Sequence, residues 1–325
     1  MAFNVDDNMP KSSGMMGFQI HESRTQWAKD AADADASRND DDYHNFRLAK
    51  EKDSKDVHGW RNGTHLGATT GSFKFRHPEL KKYLLLGSWS RAVSGTVEIH
   101  YTNNERDTLE EIYLRLYPNA DHYEEGETRI DAVNVDGDAA AFTFQDTART
   151  ILRVPLPAAL APDDQAQLQI AFVVTVPRRS DRFGYDEGVM SLGHWYPMLA
   201  VYDDEGWNLD PFVALGDAFY SDVAFYTVHL TVPDGTVVAA TGVEAGQVLL
   251  RPPRTTIAYV SGATRDFALA LSRDYETVDT QVGETTITSY YLPGHEEGGR
   301  EALQVAADAV EVFNARFGPY PYTEL

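Results

Sequence analysis

The ten histidines and fifty acidic side chains of this 325-residue chain are its main stock of groups able to bind metal or move protons. Zinc-dependent hydrolysis needs two histidines one helical turn apart with a glutamate beside the first, so that two imidazoles and a general base share one helix face. The histidines stand at 21, 44, 58, 65, 77, 100, 122, 194, 229 and 295, and no two are four apart. A nucleophilic serine elbow needs Gly-x-Ser-x-Gly, and Gly87-Ser-Trp-Ser-Arg91 departs from that pattern. Gly-Lys never occurs, which excludes a Walker loop, and no Gly-x-Gly-x-x-Gly follows a strand pattern. The absence of cysteine removes disulfides, thiolate metal sites and cysteine nucleophiles together.

Carboxylate pairs suited to glycoside chemistry are too plentiful to be informative. With fifty acids, close pairs arise without catalytic purpose, and Asp203-Asp-Glu205 and Glu124-Glu125 read as solvated loops. Asp33-Ala-Asp35-Ala-Ser37-Arg38 lacks the glycine and the distant glutamate of a calcium loop. The segment from Ser191 to Trp207 is different: it sets Trp195, Tyr196, Tyr202 and Trp207 beside His194 and between turn residues. Aromatic-rich loops line ligand clefts, and they also pack cores. Both readings stay open for Trp195, Tyr196 and Trp207.

The elements that must position these groups follow from composition and periodicity. At 42% hydrophobic residues the chain can build a substantial core. A net charge of −22 disfavours nucleic acid as a partner. No run of 18 apolar residues could span a membrane. The N-terminus has acids and no apolar core where a signal peptide needs the reverse, which makes the cytoplasm the default location. All eight lysines lie in residues 1–82, and residues 83–325 carry the whole net charge. Residues 1–82 are therefore expected to be a separate polar leader, disordered or weakly helical, with a helix near 22–52.

From residue 83 the period is two. Gly95–Tyr101, Glu111–Tyr117, Leu168–Val176 and Tyr226–Val232 alternate apolar and polar side chains, as half-buried strands do. Further strands are expected near 237–241, 255–260, 266–271 and 284–291. Asp136-Gly137 and Asp234-Gly235 suit tight turns, and Pro155, Pro157, Pro162 and Pro177 are placed at strand ends. Packed antiparallel sheets follow, in a β domain over 83–293. Ala302, Ala306, Ala309, Phe313 and Phe317 then repeat at helical spacing, which predicts an amphipathic helix over 296–317 ended by Gly318.

Several fragments, in order, resemble the aminopeptidase N-like zinc metallopeptidases, a gluzincin family. They are Gly95-Thr-Val-Glu-Ile-His-Tyr-Thr-Asn103, Glu111-Ile-Tyr-Leu-Arg-Leu-Tyr-Pro-Asn119, Gly193-His-Trp-Tyr-Pro-Met-Leu199, Gly216-Asp-Ala-Phe-Tyr-Ser-Asp222, Tyr226-Thr-Val-His-Leu-Thr-Val-Pro233, Val238-Ala-Ala-Thr-Gly242, Arg265-Asp-Phe-Ala-Leu-Ala-Leu271 and Phe317-Gly-Pro-Tyr-Pro-Tyr-Thr-Glu-Leu325. They span about three quarters of the chain. The resemblance implies a mainly β fold: an antiparallel β-sandwich or saddle domain, followed by one helix in 294–325 that begins a thermolysin-like catalytic domain. It also implies that the substrate-amine loop and the His-Glu-x-x-His helix follow Leu325. Zinc would then belong to the full-length protein and not to this chain, which alone is expected to be inactive. The implied partners are the missing C-terminal catalytic domain and a peptide substrate.

One departure stands out. Where many family members read Ala-Arg-x-x-Phe-Pro-Cys-x-Asp, this chain has Gly193-His-Trp-Tyr-Pro-Met, and only the proline aligns. His194, Trp195 and Tyr196 are accordingly the candidates for a wall of the substrate cleft, with no catalytic residue assigned. The alternative is a stand-alone β-sandwich module that binds peptide or carbohydrate.

Overall fold

A computed structural model describes residues 69–76, 91–216, 218–249 and 254–325. Most of the expected polar leader, including its helix near 22–52, lies outside the described residues. In chain order the strands are β1 (Thr69–Arg76), β2 (Ala92–Thr102), β3 (Leu109–Arg115), β4 (Glu127–Val135), β5 (Asp138–Ala139), β6 (Thr143–Phe144) and β7 (Ile151–Leu160). There follow β8 (Gln165–Thr175), β9 (Phe183–Asp186), β10 (Val189–Leu192), β11 (Met198–Leu199), β12 (Tyr202–Asp203), β13 (Gly206–Trp207) and β14 (Ala224–Pro233). The last are β15 (Val237–Ala240), β16 (Val243–Leu249), β17 (Arg254–Thr264), β18 (Leu269–Ser272), β19 (Glu276–Val282) and β20 (Thr285–Tyr291), before the helix α1 (Glu296–Phe317).

An eight-stranded sheet runs β16-β17-β14-β1-β2-β8-β4-β5. Two four-stranded sheets, β15-β18-β10-β9 and β11-β3-β7-β6, share one hydrophobic core with it. The fold is mainly β and antiparallel, with β1 running parallel to β14. β8 shows why these residues make these strands. Leu168, Ile170, Phe172 and Val174 are buried, the residues that alternate with them are half-buried, and Gln165 and Gln167 at the start of the strand are exposed. Its register against β2 places Ile170 opposite Val97 and Leu168 opposite Ile99, so apolar side chains meet on one face. Replacing Phe172, 1% exposed, by alanine removes a filled volume at a cost of about 3–5 kcal/mol.

Asp136-Gly137 forms the β4–β5 turn with both residues at positive φ, +52° and +94°. That conformation suits a two-residue hairpin. At Asp234-Gly235 only the glycine is left-handed, at +78°, and Asp234 instead accepts the Thr255 hydroxyl at 2.7 Å. Pro155 and Pro157, expected at strand ends, lie inside β7. There the register with β3 jumps: Glu111 faces Pro155 and Leu109 faces Leu160. The surplus residues bulge outward, with Pro157, Ala158 and Ala159 exposed, and at such a bulge a missing N–H disrupts no ladder.

Helix α1 has the expected bounds, with Glu296 and Glu297 in its first turn and Arg316 in its last, as the helix dipole favours. Gly318, at φ +106°, follows it. Its packed face is rotated from the expected one. Gly299, Leu303, Ala306, Ala307 and Val310 meet the β19–β20 hairpin around Ile287, whereas Ala302, Phe313 and Phe317 point outward. The small side chains explain this choice, because Gly299 lets the ring of Tyr291 lie directly against the helix backbone. The chain then returns to the hairpin. Thr286 and Thr288 donate to the carbonyls of Thr323 and Leu325 at 2.8 and 2.9 Å, and the Tyr322 hydroxyl donates to the Ala263 carbonyl at 2.7 Å. No helix among the described residues is long and apolar enough to cross a membrane.

Candidate functional site

Residues 193–197 join β10 to β11 and carry the three cleft candidates. Trp195 is fully buried, and its indole N–H donates to the Phe267 carbonyl at 3.1 Å. Its ring lies 6.2 Å from Phe172 and 5.7 Å, edge-on, from Tyr196. Tyr196 is 3% exposed, and its hydroxyl bonds that of Tyr226 at 3.0 Å. Burial pushes the Tyr196 hydroxyl far above its ordinary pKa, and the neighbouring Tyr226 and Asp266 add to the effect. Both rings therefore sit in the core, where they fix the loop.

His194 occupies a different environment. Its backbone is left-handed, at φ +52°, a conformation that costs a β-carbon residue about 1–2 kcal/mol. Asp266, 72 positions away, holds it there. One carboxylate oxygen accepts the His194 backbone N–H at 2.9 Å and stands 3.5 Å from ring Nδ1. The imidazole stacks on Phe219 at 3.6 Å and 14°, and Tyr117 meets it edge-on at 5.7 Å. The Arg182 guanidinium also lies over Phe219, 4.9 Å from its centroid. With 16% of its side chain exposed, His194 reaches solvent at the rim of an aromatic group that includes Phe212.

The segment after β13 is fastened from below. Arg115, 4% exposed, donates to the carbonyls of Asp210 at 2.7 Å and Asn208 at 3.4 Å. Tyr117 and Tyr220 are joined at 3.3 Å, and Ser221 donates to the Arg265 carbonyl at 2.9 Å. Val213, Leu215 and Tyr220 nevertheless point outward. Beneath the segment lies a cavity of about 30 Å³ lined by Tyr196–Leu199, Ser221, Asp222, Tyr226 and Arg265 among others. At its mouth Asp222 is exposed as a residue, yet its carboxyl is crowded by protein. That crowding raises its pKa, while the Arg265 charge opposes the rise.

Trp207, the other aromatic of the segment, is half-buried in the β12–β13 hairpin, with its ring 5.3 Å from Tyr202 and 5.8 Å from Tyr113. The structure therefore separates Trp207 from Trp195 and Tyr196. It also brings in Asp266, Phe219, Asp222 and Arg265, none of which was singled out for a site from the sequence. Among the described residues no three His, Asp or Glu side chains converge tightly enough to hold a metal ion. They do not fit a zinc centre.

The fold is similar to part of larger proteins of known structure. The chain is similar to a two-domain M1 zinc metallopeptidase solved with L-tryptophan, at 21% identity, 79% of this chain, 54% of that chain and a TM-score of 0.51. An M1 zinc metallopeptidase from Deinococcus radiodurans is matched at 21% identity over the same shares, with a TM-score of 0.49. The chain thus spans about half the length of the structures it matches, and the likeness is one of fold. No protein-family model and no curated protein sequence matches it.

Proposed function

We propose that this chain is the non-catalytic N-terminal β part of a zinc aminopeptidase-like metallopeptidase and forms one wall of its peptide cleft. The observation that carries this reading is the outward face of α1. Val305, Val312, Phe313 and Phe317 are 62%, 46%, 57% and 81% exposed. An apolar stripe of this kind on a helix that already packs its other face calls for a covering partner. A second domain beginning at residues 294–325 supplies that cover, and the likeness in fold to about half of a two-domain zinc metallopeptidase supports it. In this arrangement zinc and the groups that activate water belong to the catalytic domain. The β domain contributes His194, oriented by Asp266, at the rim of the cleft. Buried Trp195 and Tyr196 hold the loop without touching peptide.

The test is the reading frame downstream of the Leu325 codon, followed by co-expression of its product with residues 1–325. A frame encoding His-Glu-x-x-His, and zinc-dependent release of N-terminal residues by the reunited protein, is the expected result. A stop codon in an intact gene, or a reunited protein without peptidase activity, would overturn the reading and favour a stand-alone binding module for peptide or carbohydrate.

A further inference from the structure

The β2–β3 loop, the β12–β13 hairpin and the stretch just before β14 bring Glu105, Asp107, Asp204 and Asp222 near the rings of Tyr101, Tyr202 and Trp207. Fully buried Asn103 builds the first of these loops. Its amide donates to the carbonyls of Asp107 and Leu160, both at 2.9 Å, and its oxygen accepts the Glu105 backbone N–H at 3.1 Å. Across from it, the Tyr202 hydroxyl donates to Asp107 Oδ2 at 2.9 Å, and the Tyr202 ring meets Trp207 at 88°. Partial burial raises the Glu105 pKa, and repulsion from Asp222, Asp107 and Asp204 raises it further. These acids therefore share one field. The neighbouring positive groups are Arg265, beside Asp222, and Arg106 in the same loop as Glu105.

Tyr101 gives this cluster a direction. It is 9% exposed, its ring lies 6.4 Å from Trp207, and its hydroxyl feels the charges of Glu105 and Asp222. Among the described residues that hydroxyl has no hydrogen-bond partner. A phenol whose hydroxyl lies in the field of these carboxylates, and is bonded to none of them, can accept from an incoming donor. The acids do not converge on a single point, and no three of them could ligate one metal ion. Dispersed carboxylates with aromatic edges and faces suit a larger cation that carries several N–H donors on an apolar stem. The −22 charge of the chain attracts such a ligand at long range.

We propose that Tyr101, Glu105, Asp107, Tyr202, Trp207 and Asp222 form a binding site for a basic side chain, a guanidinium or ammonium presented by a peptide. The site is made by residues of this chain and stands or falls independently of the peptidase reading.

The probe is Nα-acetyl-L-arginine amide, titrated into the 325-residue chain while the indole N–H resonance of Trp207 is followed. That resonance is assigned by its loss in Trp207→Phe. The expected result is a saturable shift with a Kd of about 1 mM at low salt, weakened several-fold at about 0.2 M NaCl. Glu105→Gln with Asp222→Asn weakens binding about tenfold, and Tyr101→Phe about threefold, with circular dichroism unchanged in both. Equal binding of the neutral Nα-acetyl-norleucine amide, undiminished affinity in the double variant, or no saturable shift would each overturn the proposal. So would calcium chloride shifting the resonance where the arginine derivative does not, which would make this a metal site.

Discussion

Replacing Asp266 by alanine isolates what holds the His194 loop. The substitution removes a charge-assisted bond to a backbone N–H at 2.9 Å, worth about 1.5–3 kcal/mol where the donor is shielded from water. It also frees His194 from a left-handed conformation, which returns about 1 kcal/mol of strain to the variant. The donor left without its acceptor adds a cost of similar size. The net expectation for Asp266→Ala is a loss of about 1.5–3 kcal/mol. His194→Ala keeps the backbone bond and loses the stack on Phe219, the edge contact with Tyr117 and the approach of Nδ1 to Asp266, about 0.5–1.5 kcal/mol in all. His194→Gly also relieves the strain, so it falls close to wild type. Urea unfolding at neutral pH, followed by tryptophan fluorescence, ranks the three. In Asp266→Ala the emission should also shift to the red, because the Trp195 indole bonds the carbonyl of Phe267, the next residue. An Asp266→Ala variant within about 0.5 kcal/mol of wild type, or a His194→Ala variant equally damaged, would refute the argument that the carboxylate pins the loop.

Further expectations concern the helix and the acid limb. Gly299→Ala should destabilise the chain by about 1–3 kcal/mol in denaturant titrations, because its new methyl meets the Tyr291 ring. Gly298→Ala, with open space around its Cβ, should stabilise by about 0.5–1 kcal/mol through helix propensity. Phe313→Ser with Phe317→Ser should leave the unfolding midpoint within experimental error while lowering self-association in sedimentation velocity, since both rings face solvent. Hydrogen bonds from Arg153 and then Tyr113 hold the Glu111 carboxyl below its ordinary pKa. Its folded value lies below the unfolded one, so its stabilisation is complete above the unfolded pKa and disappears as pH falls through the folded value. For this partly exposed pair the effect is about 0.2–1 kcal/mol, and Glu111→Gln should flatten that part of the acid limb in urea titrations between about pH 5 and pH 3.

Much of the fold was legible because alternation is a local signal. β8 and β14 bury the side chains that their period marks, and α1 runs over the expected residues. What stayed hidden depends on partners distant in sequence. The apolar stripe of α1 was placed on its large residues, but packing selected the small ones, because a tyrosine from the hairpin needed room at Gly299. For the 191–207 segment, composition could not divide core from surface. Trp195 is enclosed by Phe172 and Tyr196, whereas Trp207 sits in a surface hairpin, and that division is set by strand order. The pairing of His194 with Asp266 and the approach of Asp222 to Glu105 span 72 and more than 100 positions, and no spacing motif encodes them. The left-handed histidine carries no sequence mark, since glycine is the usual residue at such a position.

The hairpin, α1 and the last three residues form a body with its own centre, around Ile287, Ala307 and Val310, apart from the large core of the sheets. Cooperative units of this kind open separately. Amide hydrogens of α1 and β20 should therefore exchange as one group, at a free energy set by the small centre, while those of β8 and β14 await global unfolding. Tyr322, whose hydroxyl reaches the Ala263 carbonyl at the end of β17, bridges the two bodies. A tension or a ligand acting on the helix would reach the large sheet through that phenol, and its loss would let the small body breathe on its own clock.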